Sequence, residues 1–535
     1  MLTNNFSYQK WVPALFALAA ILLFVQIGST PIYILDEAKN AQCAREMWYS
    51  QNWLVPTFNG ELRTDKPPLH YWFMSIAYQL FGVGSGSARF FSTVMGMLTL
   101  WISYAWAKKW GGQGVAFFTL LSLVLSVHFI FEFRLSVPDP YLIFFTASGL
   151  MGGFNYLQDT KNKLLWILIT AISLALAMLA KGPVALGLPG LVFSGFIIWQ
   201  KKWWVLKDWR VIMAGVLALG IALPWYFAVH KATNGAFTEG FFFEHNFNRF
   251  SAEMEGHGGP FFITPLIVLI GMLPFSLLLF KSLWPKNGFY AEPVFAFSFL
   301  VIMVYMVFFS ISRTKLPNYP MPCYPFAGLL IAVFINRVFE GQKQLPRYFI
   351  PVLLSFAALL PTAAYFGIRA EESVADLWWV AAWLLILPAG ILYGFSKFRE
   401  NNLFGFSIIV ISWALFSFVF ILIGYPLLYQ RNPVSSIKPM LADNRIILAY
   451  KAYNPAFNFN VQPNGVPIKV YKKINDLQKA ILLYQAEVRS EEIPEIYVLS
   501  RKEFIEDLNT LNATVLAERR DLFELPTTII LQVNK

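Results

Sequence analysis

The stretch "KNKLLWILITAISLALAMLAKGPVALGLPGLVFSGFIIWQKK", residues 161–202, decides the fold. It contains two apolar runs, each close to the roughly 20 residues a helix needs to cross a bilayer core. Lys161, Lys163, Lys201 and Lys202 stand at the two outer ends, and Lys181 stands alone at the turn between the runs. Gly182 and Pro183 account for the turn but not for the lysine. Basic residues gather on the cytoplasmic side of membrane proteins, so the outer ends face the cytoplasm and Lys181 the opposite side.

The same reasoning extends along the chain. About thirteen candidate spans follow from the length rule, at residues 11–29, 88–107, 114–133, 140–158, 164–180, 183–200, 211–230, 261–281, 291–311, 320–338, 348–368, 377–396 and 403–428. Lys10, Lys108/Lys109, Lys281/Lys286, Arg337/Lys343/Arg347 and Lys397/Arg399 then fall on the same side as Lys201 and Lys202. An odd span number places the N-terminus in the cytoplasm and the C-terminus outside. The run from Trp11 to Gly28 reads as an anchor, without a small-residue cleavage pattern. The expected location is the plasma (inner) membrane, multi-pass.

Composition agrees. Charged residues make up 14% and hydrophobic ones 57%, with mean hydropathy +0.53, against roughly 25% charged in soluble domains. The net charge of +11 fits basic cytoplasmic loops and an anionic lipid ligand rather than nucleic acid. The two cysteines, Cys43 and Cys323, read as free thiols in apolar settings, with pairing open only if both lie outside the cytoplasm.

The polar chemistry collects in the outer loops. Residues 30–87 form a long first outer loop in which 36–50 and 67–81 read as helices lying in the interface plane. Beyond about residue 430 the texture changes. "RIILAYKAY", "IKVYKK", "EIYVLS" and "TTIILQV" read as strands, with helices capped by Asn475 or Gln478 and by a Ser500/Glu503 capping box. The expected division is a transmembrane domain over 1–430 and a small extracytoplasmic α/β domain over 431–535.

Several outer residues invite chemistry. Asp36 and Glu37 open the first interfacial helix, where a carboxylate serves as an N-cap or as a general base for an acceptor hydroxyl. Lys66 precedes Pro67 and Pro68 at the second helix start, where a cation beside free backbone N–H groups makes a phosphate site; the alternative is a lysine reaching to water. Asp139 lies between prolines at a span entry, as a functional carboxylate or an N-cap. Lys181 either binds lipid phosphate or only marks a loop. Residues 241–262 gather Glu244, His245, Arg249, Glu253, Glu255 and His257, a mixture that could hold a divalent ion without matching a specific metal spacing. Arg313 and Lys315 precede a proline-broken span and could complete an anion pocket with Lys66.

Six segments, "LDEAKNAQCAREM", "DKPPLHYW", "PDPYLIFF", "AKGPVAL", "EHNFNRF…GHGGPFF" and "SRTKLPNYPMPCYP", resemble, in the same order, the motifs of the GT-C polyprenyl-phosphate glycosyltransferases. The similarity is greatest to the lipid A aminoarabinose transferases and the protein O-mannosyltransferase-like group. The resemblance covers most of residues 1–340. It implies an α-helical polytopic membrane protein with thirteen spans, an undecaprenyl-phosphate sugar donor and inverting transfer at the extracytoplasmic leaflet. It assigns Asp36 as catalytic, Lys66 to the donor phosphate and Asp139 as a second acidic position. Arg249 and Lys315 fall at cationic positions near that phosphate. Relatives usually carry Glu where this chain has Asp65, and associate a metal with that carboxylate and a later His. A divalent metal on Asp65 and His245 is therefore an expectation that the shorter side chain weakens. The acceptor is a membrane glycolipid, lipid A-like, or a protein hydroxyl. A flippase of lipid-linked sugar would instead need polar residues towards both faces. A scaffold would leave the outer charges without a task.

Overall fold

The computed structural model describes residues 7–159, 161–248, 258–283, 290, 292–398, 402–462, 465–487 and 494–534. Among them, eight helices are long and apolar enough to cross a membrane: Ser85–Val124, Lys163–Lys181, Trp209–Ala232, Pro293–Ile311, Met321–Phe339, Phe349–Ala370, Glu372–Phe398 and Leu403–Tyr429. Tyr8–Phe24 and Val184–Trp199 are shorter apolar helices. The chain is thus a polytopic α-helical membrane protein with a small C-terminal β-sheet.

Two spans differ from expectation. Ser85–Val124 takes in the window 88–107 and the start of 114–133, with a break at Gly112, where φ is 84°. Its second part ends at Val124 rather than 133, because Ser126 starts a new helix, Val127–Glu132, by accepting from the Phe129 N–H at 3.2 Å. The window 261–281 is split into Ile263–Gly271, Phe275–Leu278 and Leu279–Leu283. Pro274 lies at that split, where its ring removes a helical donor.

Lipid tails are as apolar as leucine, so helices in a bilayer associate by shape rather than by expelling water. Here rings interlock at the centre: Trp106 packs edge-on against Phe154 and Phe326, and Phe297 meets Phe154 at 5.0 Å.

Before the second span, Leu35–Ser50 packs on Leu69–Phe81 through Tyr78 and Ser75 hydroxyls donated to the Ala41 and Ala44 carbonyls at 3.0 and 3.2 Å. A hairpin of β1 (Thr57–Phe58) and β2 (Glu61–Leu62) lies between them. Its turn, Asn59-Gly60, has positive φ at both residues, the geometry this dipeptide favours. Glu46 ties the hairpin to the first helix by accepting from Thr57 Oγ1 and the Asn59 and Gly60 N–H groups.

The C-terminal sheet contains β3 (Arg445–Tyr450), β4 (Lys469–Tyr471), β5 (Glu495–Arg501), β6 (Ala513–Arg520) and β7 (Thr527–Val533) in the order β4-β3-β5-β7-β6. β3 is parallel to β4 and β5, while β7 runs antiparallel to β5 and β6. The expected Ser500/Glu503 capping box does not form. Ser500 belongs to β5, and its hydroxyl donates to the Tyr450 carbonyl at 2.9 Å. Asn475 and Gln478 lie inside the helix Ile474–Glu487 rather than at its cap. β6, "ATVLAERR", and the helix Ala456–Val461 were not foreseen. The first is a charged edge strand without a sustained apolar period, and the second alternates Phe457, Phe459 and Val461 with Asn458 and Asn460, a strand-like period in six residues that fold as a helix.

Candidate active site

Lys181 is the last residue of the helix Lys163–Lys181, and Asp139 the first of Asp139–Gln158. A cation at a helix C-terminus and an anion at an N-terminus each complement the helix dipole. The two side chains form a partly buried ion pair. The helix stops at Gly182, whose φ of 89° suits glycine. A Cβ there would stand 2.5 Å from the Phe241 ring, so the close approach also requires glycine. Lys181 Nζ lies 4.7 Å from the Tyr319 ring centre, a cation–π contact.

Phe241 and His245 belong to the wide π-helical turn Gly240–Phe247. Gly240 lets this turn press on Thr64, 2.8 Å from where a Cβ would be. That approach brings His245 Nε2 within 3.8 Å of Asp65 Oδ1. Asp65 also takes the Arg63 Nε–H at 3.1 Å. Burial pushes the Asp65 carboxyl up, but Arg63, Lys66 and His245 outweigh it and hold the group below its ordinary range.

These elements line a cavity that opens to solvent. Asp65, Lys66, Lys181, His245, Ser312 and Tyr319 supply its polar lining, and Leu142, Val184, Leu188, Phe308 and Phe309 are among its apolar lining residues. Four expected site residues, separated by up to 180 positions in the chain (65 to 245), therefore share one void. Lys66 is buried and lies just ahead of the helix Leu69–Phe81, with Pro68 at the cap position. Both prolines precede the helix rather than sitting in its first turn, so the backbone N–H groups of that turn are left to Leu69 onward.

The other expected residues divide. Asp36 does not line the cavity. It is half exposed, in the first turn of Leu35–Ser50, and its Oδ1 stands 3.8 Å from Arg63 Nη2. Arg63 thus links Asp36 to Asp65. Lys315 is buried and donates to the Ser312 carbonyl at 2.5 Å, behind the cavity wall. Arg249, with Glu253, Glu255 and His257, lies outside the described residues. Among the described residues, no group of three His, Cys, Asp or Glu converges on a metal position. Asp65 and His245 together supply two donors.

Glu37, expected beside Asp36 as a catalytic carboxylate, is placed elsewhere. Its carboxylate is fully buried and accepts four hydrogen bonds: Arg89 donates Nε–H and Nη2–H at 2.7 and 2.8 Å, and Ser136 donates its N–H and hydroxyl at 2.9 and 3.1 Å. It ties the first outer loop to the span Ser85–Val124 and to the connection that precedes Asp139–Gln158, and it does not line the cavity. The cysteines are both buried and free.

The sequence reading passed over Arg63, His70, Glu132 and Tyr319. Arg63 is buried with Nη1 and Nη2 making no hydrogen bond. His70 is buried against Asn40 at 3.3 Å. Burial and the nearby Arg63 and Lys66 charges push its imidazole well down, so it is neutral. Glu132 is buried near Asp139, Lys181 and Asp36, with Asn318 as its amide neighbour. Arg63 and His70 lie in the same "ELRTDKPPLHYW" segment as Lys66; for His70, a polar side chain within an apolar helix was the available signal.

Comparison with known proteins agrees with this fold. Residues 65–227 match the family model described as dolichyl-phosphate-mannose-protein mannosyltransferase. An uncharacterized protein of Aquifex aeolicus is 30% identical over 345 residues, covering 63% of this chain and 67% of that protein. The undecaprenyl phosphate-alpha-4-amino-4-deoxy-L-arabinose arabinosyl transferase of Shewanella sediminis is 27% identical over 467 residues, 82% of each chain. The crystal structure of ArnT from Cupriavidus metallidurans bound to undecaprenyl phosphate superposes with a TM-score of 0.78 at 21% identity, covering 98% of both chains. The chain belongs to the GT-C polyprenyl-phosphate glycosyltransferase family and is a membrane-embedded glycosyltransferase.

Proposed function

We propose that this protein transfers a sugar, with inversion, from undecaprenyl phosphate to a hydroxyl or phosphate of a lipid A-like glycolipid at the outer face of the inner membrane. One observation carries the reading. Lys66 and Lys181 share a cavity that Leu142, Val184, Leu188, Phe308 and Phe309 also line, the mixture of cation and hydrocarbon that a phosphate on a long prenyl chain requires. The relatives named as arabinosyl transferases act on an undecaprenyl-phosphate sugar, which supports that donor.

In the proposed reaction the acceptor oxygen attacks the anomeric carbon and the bond to the donor phosphate oxygen breaks. The two electrons of that bond leave with the phosphate. Lys66 and Lys181 offset the charge that develops there, an interaction stronger in the transition state than before it. Asp36, half exposed and 3.8 Å from Arg63, takes the acceptor proton, and Arg63 keeps its carboxylate aimed. Asp139 holds Lys181 in place and is a positioning residue here. Lys315, bonded to the Ser312 carbonyl, braces the cavity wall and adds positive potential. A divalent ion, if bound, would be held by Asp65 and His245 and would supply further positive charge at the phosphate. Two donors are fewer than the three protein ligands of a typical catalytic zinc site.

The topology proposed with this reading puts residues 1–430 in the membrane domain and 431–535 outside, with the N-terminus cytoplasmic. The test is incubation of the purified protein with undecaprenyl phosphate-4-amino-4-deoxy-L-arabinose and lipid A, followed by mass spectrometry. Modified lipid A together with free undecaprenyl phosphate supports the reading. Intact donor crossing a vesicle membrane with no bond cleaved would favour the flippase instead. Transfer to a serine- or threonine-containing peptide but not to lipid A would favour the protein O-mannosyltransferase-like reading, which the family model over 65–227 also suggests.

A further inference from the structure

The helix Leu35–Ser50 presents Asp36 in its first turn and Arg45 nine residues later. At 3.6 residues per turn, nine residues make two and a half turns, so the two side chains leave opposite faces of the helix. Arg45 is 4% exposed. Its Nη1 donates to the Phe459 and Gln462 carbonyls at 3.0 Å each, and its Nη2 to the Asn458 carbonyl at 2.6 Å. The guanidinium also lies 5.3 Å from the Phe459 ring centre. No carboxylate forms a salt bridge with it among the described residues. Arg45 is spent on three backbone carbonyls at the end of the helix Ala456–Val461, more than 400 positions away in sequence.

The segment leading into Asp36 is held from the same side. Asn460 Nδ2 donates to the Ile32 carbonyl at 2.6 Å, and the Leu522 N–H donates to the Tyr33 hydroxyl at 3.1 Å. The hairpin that Glu46 ties to this helix is itself gripped: Asn59 donates to the Ile468 carbonyl at 2.9 Å and accepts from the Ile468 N–H at 2.7 Å. Apolar contact fills in behind, with Met47, Tyr78, Phe457 and Phe459 in one cluster. The C-terminal sheet region therefore grips the Asp36 helix on its back face and at its entry, leaving the Asp36 face turned the other way.

We propose that Arg45 is a positioning residue and that the C-terminal region serves the reaction by clamping the helix that carries Asp36. The inference rests on Asp36 being the acceptor-side base. Loss of the clamp lets the helix shift or rotate, and a misplacement of about 1 Å costs on the order of a hundredfold in rate. Donor binding is made at Lys66 and Lys181, which the clamp does not touch, so it is unaffected.

The experiment compares Arg45→Met, Arg45→Lys, Asn460→Ala and Asp36→Asn, as full-length protein in detergent. Readouts are turnover of undecaprenyl phosphate-4-amino-4-deoxy-L-arabinose with lipid A, and binding of undecaprenyl phosphate as the probe. Monodispersity on size exclusion confirms folding. The expected result is a loss of kcat of tenfold or more in Arg45→Met, with the Kd for undecaprenyl phosphate changed less than twofold. Arg45→Lys, which retains one donor head, recovers part of the rate, and Asn460→Ala shows a smaller loss of kcat. Folded Arg45→Met with kcat within twofold of wild type overturns the clamp while an inactive Asp36→Asn leaves the base reading standing. If Arg45→Met does not fold, folded Arg45→Lys and Asn460→Ala at wild-type kcat overturn the clamp equally. An active Asp36→Asn removes the base reading and the clamp's purpose together.

Discussion

Glu37→Gln separates a structural carboxylate from a catalytic one. Glu37 accepts four hydrogen bonds, two from Arg89 and two from Ser136. Glutamine preserves the size but removes the charge, and turns an N–H₂ group towards one of the donors. Arg89 then remains as a buried cation without its counterion. Removing one partner of such a pair costs about 3–5 kcal/mol. Arg89 keeps its bonds to the carbonyls of Ile27, Thr30 and Pro31 and to Thr30 Oγ1, which places the loss near the lower end, about 3 kcal/mol. That is roughly a hundredfold in a folding equilibrium. A chain of this size does not unfold in one step, so the assay is the rate of thermal inactivation in detergent beside turnover per monodisperse molecule. The expected variant inactivates far faster than wild type but turns over within about threefold of it before heating. A Glu37→Gln protein with wild-type thermal resistance and no turnover would refute the structural assignment.

Lys66→Met, which keeps the length and removes the charge, is expected to weaken undecaprenyl phosphate binding by roughly ten- to a hundredfold, the worth of about 1.5–3 kcal/mol for a charged hydrogen bond; a titration showing unchanged affinity contradicts the phosphate role. His70 is buried and neutral with its pKa pushed well below 6.5. As the pH falls below about 6.5 the unfolded chain binds a proton that the folded chain refuses, so the fold loses stability. Melting curves from pH 7 to 5 should show this acid loss, and His70→Gln should blunt it; an equal acid loss in both proteins contradicts the assignment. If Asp65 and His245 hold a divalent ion, EDTA lowers wild-type turnover, zinc restores it, and His245→Ala shows the same loss with no further response to EDTA. Wild-type turnover unchanged by EDTA rules the ion out of the reaction.

How much of this was written in the chain depends on the kind of signal. Lys66, Lys181 and Asp139 were legible because a charge beside a membrane span is costly and needs a partner. The sequence also indicated that they lie on one side, through the basic loops opposite. It could not tell Asp36 from Glu37. Adjacent helical residues point about 100° apart, and which one turns inward depends on Arg89, 52 positions later. Arg63 was invisible for the same reason, since its position between Asp36 and Asp65 is a property of the folded loop. The broken helix at Ser126 was concealed by an apolar run with no proline or glycine to mark the break. In the C-terminal sheet, the buried strands β3, β5 and β7 carried clear apolar runs. The edge strand β6, with "AERR" at its end, did not.

The most direct measurement is the stoichiometry of products from purified wild type and Asp36→Asn with undecaprenyl phosphate-4-amino-4-deoxy-L-arabinose and lipid A. The account predicts one free undecaprenyl phosphate per modified lipid A from wild type. It predicts neither product from Asp36→Asn, although that variant still binds undecaprenyl phosphate. Wild-type turnover by Asp36→Asn, or donor consumption with no sugar on any acceptor, would contradict it.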